Sequence, residues 1–544
     1  MNKTARRLAL ACSLLAFATA TISTLPACRP PASRVAPGGP KLILFLAVDQ
    51  MRADYLERFR PLWTGGFKRL LEDGAVFTEA RHEHALTETS PGHATLVSGL
   101  TPRHHGIVEN YWYDRERGAT VYSVDDERHG SSPANLLGST LGDWLKRADP
   151  FSRVWSVAGK DRAAVLMGGE RADGAFWYDR RKGKMTTSTY YRRGKPAWLD
   201  DKELTGFTRR LFGAEWQPSP RTAAVLADPQ ARARFGILEA EQGDFPDRFP
   251  HVGGDLTPVA DASFYGSIYG SPFLDELVGL AAARLLVAEK LGKDEHPDVL
   301  FVSFSAPDTV GHTFGPASPE LLDTLLRLDE VLGRFLATAE QEVGRDNLLI
   351  SLSADHGVLP LPEVDAHLGG NARRIDSAGL LCYQTIGRQL SCPECISAYW
   401  TLDDATLRAR GLERGAFERE VARLVAGCAE VEKVWTRSEL EPGDGPADAM
   451  GRLYAASFYP DRSPDLLIQW REGYLPTRSI GTTHGTPWDY DRHVPWIVVS
   501  PGGKAGQVVE RVATVDVAPT LAKLAGIPVP GDRDGRDRSG LIQP

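Results

Sequence analysis

Five stretches of this chain are apolar at nearly every position rather than at alternate ones, which is the pattern of parallel strands covered on both faces. They run from Lys41 to Val48, Val154 to Ala158, Val299 to Phe304, Leu348 to Leu352 and Trp496 to Val499. Helical periodicity fills the spaces between them. The clearest case opens at Ser318-Pro319 and puts Leu321, Leu325, Leu328, Leu332 and Phe335 on one face, a core-packing stripe behind an N-cap and a first-turn proline. Buried strands alternating with helices predict an α/β fold, a doubly wound and mostly parallel sheet with helices on both sides. Ligands of such sheets sit beyond the carboxyl ends of the strands.

The pattern also divides the chain. Residues 41–358 and 481–544 carry the strand and helix signals and form the expected core. Between Leu359 and Ile480 the strand periodicity is lost, and 359–480 reads as an inserted cap. A second insertion is expected at about 167–271, rich in Arg, Tyr, Trp and Gly. Ahead of the core, residues 28–40 form a Pro-rich linker. Residues 1–27 read as a secretory signal, with Lys3, Arg6 and Arg7 before an apolar stretch from Leu8 through Phe17. Leu25 to Cys28 resembles a bacterial lipobox and would make Cys28 a lipid anchor. Cleavage after Ala20 and an uncleaved anchor are the competitors, and Arg6-Arg7 hints at twin-arginine export. Each places the body of the protein in the periplasm or otherwise outside the cytoplasm. Four cysteines, Cys382, Cys392, Cys395 and Cys428, remain after Cys12 and Cys28 are set aside. In an oxidising compartment they predict two disulfides, with three connectivities open; a metal knuckle at Cys392-x-x-Cys395 is the alternative.

Composition adds an exclusion. With 42% hydrophobic and 25% charged residues in 544, the chain can bury a large core, and its formal charge of −8 leaves no basic footprint for nucleic acid. Loss of the three signal cations makes the mature charge −11. Any anion site is therefore local.

The candidate chemistry clusters where the strand patterns end. The segment 81–114 contains Thr89-Ser90-Pro91-Gly92-His93, which places Thr89 at a helix N-terminus. There a hydroxyl is more easily deprotonated and a phosphate is attracted, although an ordinary cap has the same local signature. Asp49 follows the first strand, Asp308 and His312 follow the third, Asp355 and His356 follow the fourth, and His484 precedes the fifth. Three carboxylates and three imidazoles are the ligands that zinc takes, but six are too many for one catalytic ion. Two ions sharing them would make a phosphoryl-transfer clamp.

The order Asp49, Thr89, Asn110, Asp308-x-x-x-His312, Asp355-His356, His484 resembles the alkaline phosphatase superfamily, in particular its threonine-nucleophile branch with the nucleotide pyrophosphatase/phosphodiesterases. The likeness extends from Lys41 to about Pro530. It implies two Zn2+ per chain, one held by Asp308, His312 and His484, the other by Asp49, Asp355 and His356 with Thr89 in contact. It also implies that Asn110 donates to a phosphoryl oxygen. Lys160 and Arg162, in Gly159-Lys160-Asp161-Arg162, resemble the Lys-x-Arg pair of the periplasmic phosphomonoesterases similar to phosphate-irrepressible alkaline phosphatases. Two cations suit a monoester dianion, whereas a diester places an uncharged substituent there. The implied activity is an alkaline phosphatase acting on small phosphate monoesters; the alternatives are a type I phosphodiesterase/nucleotide pyrophosphatase and a metal-binding protein without turnover. The Cys-x-Pro-x-Arg type motif of sulfatases is absent. Oligomeric state is not set by any of these features.

Overall fold

The computed structural model describes residues 38–543 apart from 192–195, 239–248, 253–258, 368, 376–381, 383–384, 398, 442–445 and 476–480. The signal and Cys28 lie outside the described residues. The main sheet has nine strands: β1 (Leu42–Val48), β2 (Ala75–Phe77), β3 (Val154–Ala158), β4 (Gly174–Asp179), β5 (Lys184–Thr186), β6 (Asp298–Phe304), β7 (Leu348–Ser353), β8 (Trp496–Val499) and β9 (Gly506–Val508). Their order is β5-β4-β3-β6-β1-β7-β8-β2-β9. All neighbours pair in parallel except β4 with β5 and β8 with each of its neighbours. The fold is the expected α/β one.

Both faces of β1 are covered, which explains its unbroken apolar run. Leu42, Leu44, Leu46 and Val48 enter one core, and Ile43, Phe45 and Ala47 enter the other. Helices fill both sides: α1 (Gly66–Asp73), α2 (Thr89–Ser98), α3 (Asp161–Gly168), α4 (Phe273–Ala288), α5 (Ala306–Phe314), α6 (Pro319–Val343) and α7 (Val517–Leu524). The Ser318 hydroxyl accepts from the Leu321 N–H at 3.1 Å and starts α6 where expected. The five residues of its stripe are buried in the first core with α4 and α1.

Two expectations need correction. The Trp496–Val499 run has the pattern of the parallel strands, but β8 runs antiparallel to β7, with Ile350 opposite Val499 and Ser353 opposite Trp496. A strand buried on both faces has the same apolar run in either direction, so its pattern carries no sense of direction. Within the 167–271 span, β4 and β5 extend the main sheet, so this part belongs to the core architecture. In the 359–480 span, Val431–Thr436 and Leu466–Trp470 pair antiparallel beside a separate hydrophobic cluster. The disulfides are Cys382–Cys428 and Cys392–Cys395, which removes the thiolates that a metal knuckle needs.

The N-terminus of α1 has no side-chain cap of its own. Asp329 of α6, fully buried, supplies one: its carboxylate accepts from the Thr64, Gly65 and Phe67 N–H groups at 2.8 Å each, and from Arg221 at 3.2 Å. Asp329→Ala strands these donors, so it is expected to cost about 3 kcal/mol. Denaturant unfolding of the two proteins checks this, and an unchanged midpoint would contradict it.

Candidate active site

Strands β6, β1 and β7 are neighbours and parallel, so their carboxyl ends open on the same edge. Asp49 leaves β1 with its N–H donating to the Phe304 carbonyl at 2.9 Å. Asp308 sits in the first turn of α5, directly after β6, with His312 one turn later. Asp355 and His356 follow β7. The topology thus gathers three carboxylates that are far apart in sequence.

Gln50, which the sequence reading passed over, links two of them. It holds an uncommon φ of 65°, donates its N–H to Asp355 Oδ1 at 3.2 Å and donates Nε2–H to Asp308 Oδ1 at 2.9 Å. Its only sequence signal is adjacency to Asp49.

The three imidazoles are oriented by backbone carbonyls. His312 Nδ1 lies 2.7 Å from the Thr482 carbonyl, His356 Nδ1 lies 2.9 Å from that of Gly357, and His484 Nδ1 lies 2.7 Å from that of Thr87. A carbonyl can only accept, so each Nδ1 carries the proton and each Nε2 keeps its lone pair for the cluster. His356 Nε2 is 3.5 Å from Asp49 Oδ1 and 3.4 Å from Asp355 Oδ2. His312 and His484 approach Asp308 Oδ1 at 3.2 and 3.5 Å. The donor atoms converge in two sets, Asp49 with Asp355 and His356, and Asp308 with His356 and His484. His356, its ring stacked 3.5 Å from that of His484, stands in both sets, while His312 lies outside the second although close to Asp308.

Thr89 is the first residue of α2, preceded by Glu88 in extended conformation, so Glu88 rather than Thr89 holds the cap position. Thr89 is 1% exposed, and its hydroxyl accepts from Lys160 Nζ at 3.3 Å and Arg162 Nη2 at 3.2 Å. Asn110 Oδ1 accepts from the Ser90 N–H at 2.9 Å, which leaves the Nδ2 hydrogens as its donors. Arg162 is braced from the side: Tyr122 OH donates to Asp161 Oδ1 at 2.6 Å and accepts from Arg162 Nη1 at 3.4 Å. His93, whose motif the sequence displayed without a role, ties the helix to the cluster. Its Nδ1 is 2.9 Å from the Thr89 carbonyl and 3.1 Å from Asp355 Oδ2, and Nε2 is 2.9 Å from Ser303 Oγ.

Burial, then repulsion from Asp308 and Asp355, pushes the Asp49 carboxyl well above its ordinary range. Burial also pushes Asp308 up, but Lys160 and His312 outweigh it and hold this carboxylate low. Lys160 lies 2.7 Å from Asp49 Oδ2, off the hydrogen-bonding direction, and 2.5 Å from Asp308 Oδ2. Burial lowers the pKa of its ammonium, yet the two carboxylates more than reverse this, so it stays charged. One ammonium does not satisfy the cluster. Both oxygens of Asp49, Oδ2 of Asp355 and Nε2 of His356 are buried without a hydrogen-bond partner.

A family model, type I phosphodiesterase / nucleotide pyrophosphatase, matches residues 43–499. The chain belongs to this family. Within it, alkaline phosphatase PhoK of Sphingomonas sp. is 33% identical over 542 residues, covering 93% of this chain and 92% of that protein. Alkaline phosphatase PafA of Elizabethkingia meningoseptica is 31% identical over 525 residues, covering 92% and 94%. The crystal structure of wild-type PafA superposes with a TM-score of 0.83 at 30% identity, over 93% of this chain and all but 1% of that one. This family member is a phosphatase, a phosphoric ester hydrolase with a large, mostly parallel sheet.

Gly92, one turn into α2, lies against the Asp355 backbone: a Cβ there would sit 2.2 Å from the Asp355 carbonyl oxygen. Gly92→Ala must separate the helix carrying Thr89 from the strand end carrying Asp355. A misplacement of about 1 Å lowers kcat/KM about 100-fold. Steady-state kinetics on a folded variant checks it; near wild-type kcat/KM would contradict the tight docking.

Proposed function

We propose that this chain is an exported alkaline phosphatase that hydrolyses small phosphate monoesters at a two-zinc site through a phosphothreonine on Thr89. The observation that carries the reading is the convergence of Lys160 and Arg162 on the Thr89 hydroxyl beside two sets of carboxylate and imidazole donors. The donor chemistry fits zinc, because Asp49 Oδ1 and Nε2 of His356 are buried without a hydrogen-bond partner beside further carboxylate and imidazole donors. Asp49, Asp355 and His356 would hold one ion, and Asp308, His312 and His484 the other. When bound, two zinc ions would supply Lewis-acid stabilisation of the attacking and leaving oxygens.

The protein's own groups do the rest. The α2 N-terminus adds its dipole to the attraction of the phosphoryl group. The Thr89 hydroxyl gives its proton to solvent and its oxygen bonds to phosphorus as the ester P–O bond breaks, and the departing alkoxide takes a proton from water to leave as the alcohol. Lys160, Arg162 and the Asn110 amide donate to the non-bridging phosphoryl oxygens, where charge is held through the transition state. Water then takes the place of Thr89 at phosphorus and releases phosphate. The signal over residues 1–27 supports export, and Cys28 would serve as a lipid anchor if the lipobox is processed. The family description keeps phosphodiester hydrolysis as the second reading.

Thr89→Ala is expected to abolish turnover with metal content near two equivalents per chain, since the six proposed ligands remain; Thr89→Ser should retain part of the activity. Elemental analysis and kinetics decide together: a variant keeping more than about a tenth of kcat, a barrier change below about 1.4 kcal/mol, contradicts covalent catalysis by Thr89.

Lys160→Ala/Arg162→Ala removes two charge-assisted hydrogen bonds, each worth about 1.5 to 3 kcal/mol. It should lower kcat/KM for p-nitrophenyl phosphate far more than for its methyl diester. Equal losses on the two substrates would favour the diesterase reading.

A further inference from the structure

We propose that the turn at residues 180–182 is a second anion subsite, so that the preferred substrates are phosphate monoesters whose alcohol carries another anionic group, a carboxylate or a second phosphate. This rests on the monoesterase reading above. The turn and the reacting end share a cavity of about 680 Å³, whose wall includes Lys160, Arg162 and His312 together with Arg180, Arg181 and Lys182. In a chain of formal charge −8, such a concentration of cations runs against the average.

The turn is firmly built. It joins β4 to β5 with Asp179 paired opposite Lys184, and Asp179 Oδ1 accepts from the Arg181 N–H at 2.9 Å and the Lys182 N–H at 3.3 Å. Gly183 closes it at φ 64°, packed against the Tyr265 ring, and its carbonyl accepts from Thr208 Oγ1 at 2.7 Å. A side chain at that glycine would meet both the left-handed backbone and the ring.

The charges divide unequally. Lys182 is paired with Asp179 at 3.2 Å, and Lys160 is engaged by Asp49 and Asp308. Among the described residues, Arg180 and Arg181 have no ion pair. The Arg180 guanidinium lies 5.6 Å from the centroid of the Tyr269 ring. Stacking on an aromatic face leaves its N–H fork free for an oxyanion. Tyr269 is in turn fixed to the helix that carries Asp308, because its carbonyl accepts from Thr309 Oγ1 at 2.8 Å. Trp177 and Tyr122 line the same cavity and give the alcohol an apolar surface. Two guanidinium groups thus stand ready for a bidentate partner on the substrate, in a cavity shared with the phosphoryl-binding cations.

The test compares 3-carboxyphenyl phosphate with its near-isosteric neutral counterpart, 3-carbamoylphenyl phosphate, on the metal-loaded full-length enzyme at low ionic strength. The expected wild-type kcat/KM ratio favours the carboxylate about tenfold. It should fall towards one in Arg180→Gln/Arg181→Gln and shrink in the wild type at high salt. The same comparison with a second phosphate in place of the carboxylate should follow the same course. A wild-type ratio near one with active monoester turnover overturns the subsite alone, as does a ratio that the folded variant leaves unchanged. Absence of monoester turnover, with the methyl diester cleaved, overturns the monoesterase reading and the subsite with it.

Discussion

Asp49, Asp308 and Asp355 are buried together at one edge of the sheet, and their mutual repulsion in a low-dielectric interior is the constraint to which the surrounding structure answers. Lys160 enters between two of them, Gln50 donates to two, and His93 reaches the third. Asp49 Oδ1, buried and 3.5 Å from His356 Nε2, keeps no hydrogen-bond donor, which costs stability. A rigid sheet with a core on either side holds the carboxylates where flexible loops would let them separate. The same charge that strains the cluster makes it a candidate holder of metal ions.

Presentation of the hydroxyl depends on contacts from three directions. Gly92 lets α2 approach the Asp355 backbone closely, and His93 anchors the first turn from within the helix. On the open side, Asn110 stands at the base of a hairpin formed by Tyr111–Asp114 and Ala119–Tyr122. The hairpin leans on the cap region: Tyr113 stacks on Tyr399 at 5.3 Å, and Arg115 pairs with the buried Asp465 at 3.0 Å. The 359–480 span is therefore mechanically connected to Asn110, which holds the first turn of α2. Tyr122, paired with Tyr111 at the base of the hairpin, braces Arg162, so Asn110 and Arg162 share this support.

Much of this was legible in the chain itself. Unbroken apolar runs marked the five central strands because burial on both faces leaves no polar alternate position, and the polar residues following them marked the carboxyl-end site. Residue type suggested the chemistry, since Asp and His in that number are candidate metal ligands. The parity of the cysteines indicated two disulfides.

Tertiary structure decided the rest. Periodicity records how many faces of a segment are buried but not which segment covers them. It could not show that β1 lies between β6 and β7, that β8 runs antiparallel, or that Cys382 pairs with Cys428. It could not assign Gln50, His93 or Tyr122, whose roles arise only from contacts across large sequence separations. Short strands such as β2, and β4 and β5 within an aromatic and basic stretch, had too little local pattern to stand out. The chain thus carried the site's chemical inventory, while long-range packing set its geometry, because neighbours in a parallel sheet are chosen by the whole core rather than by the strands' own sequences.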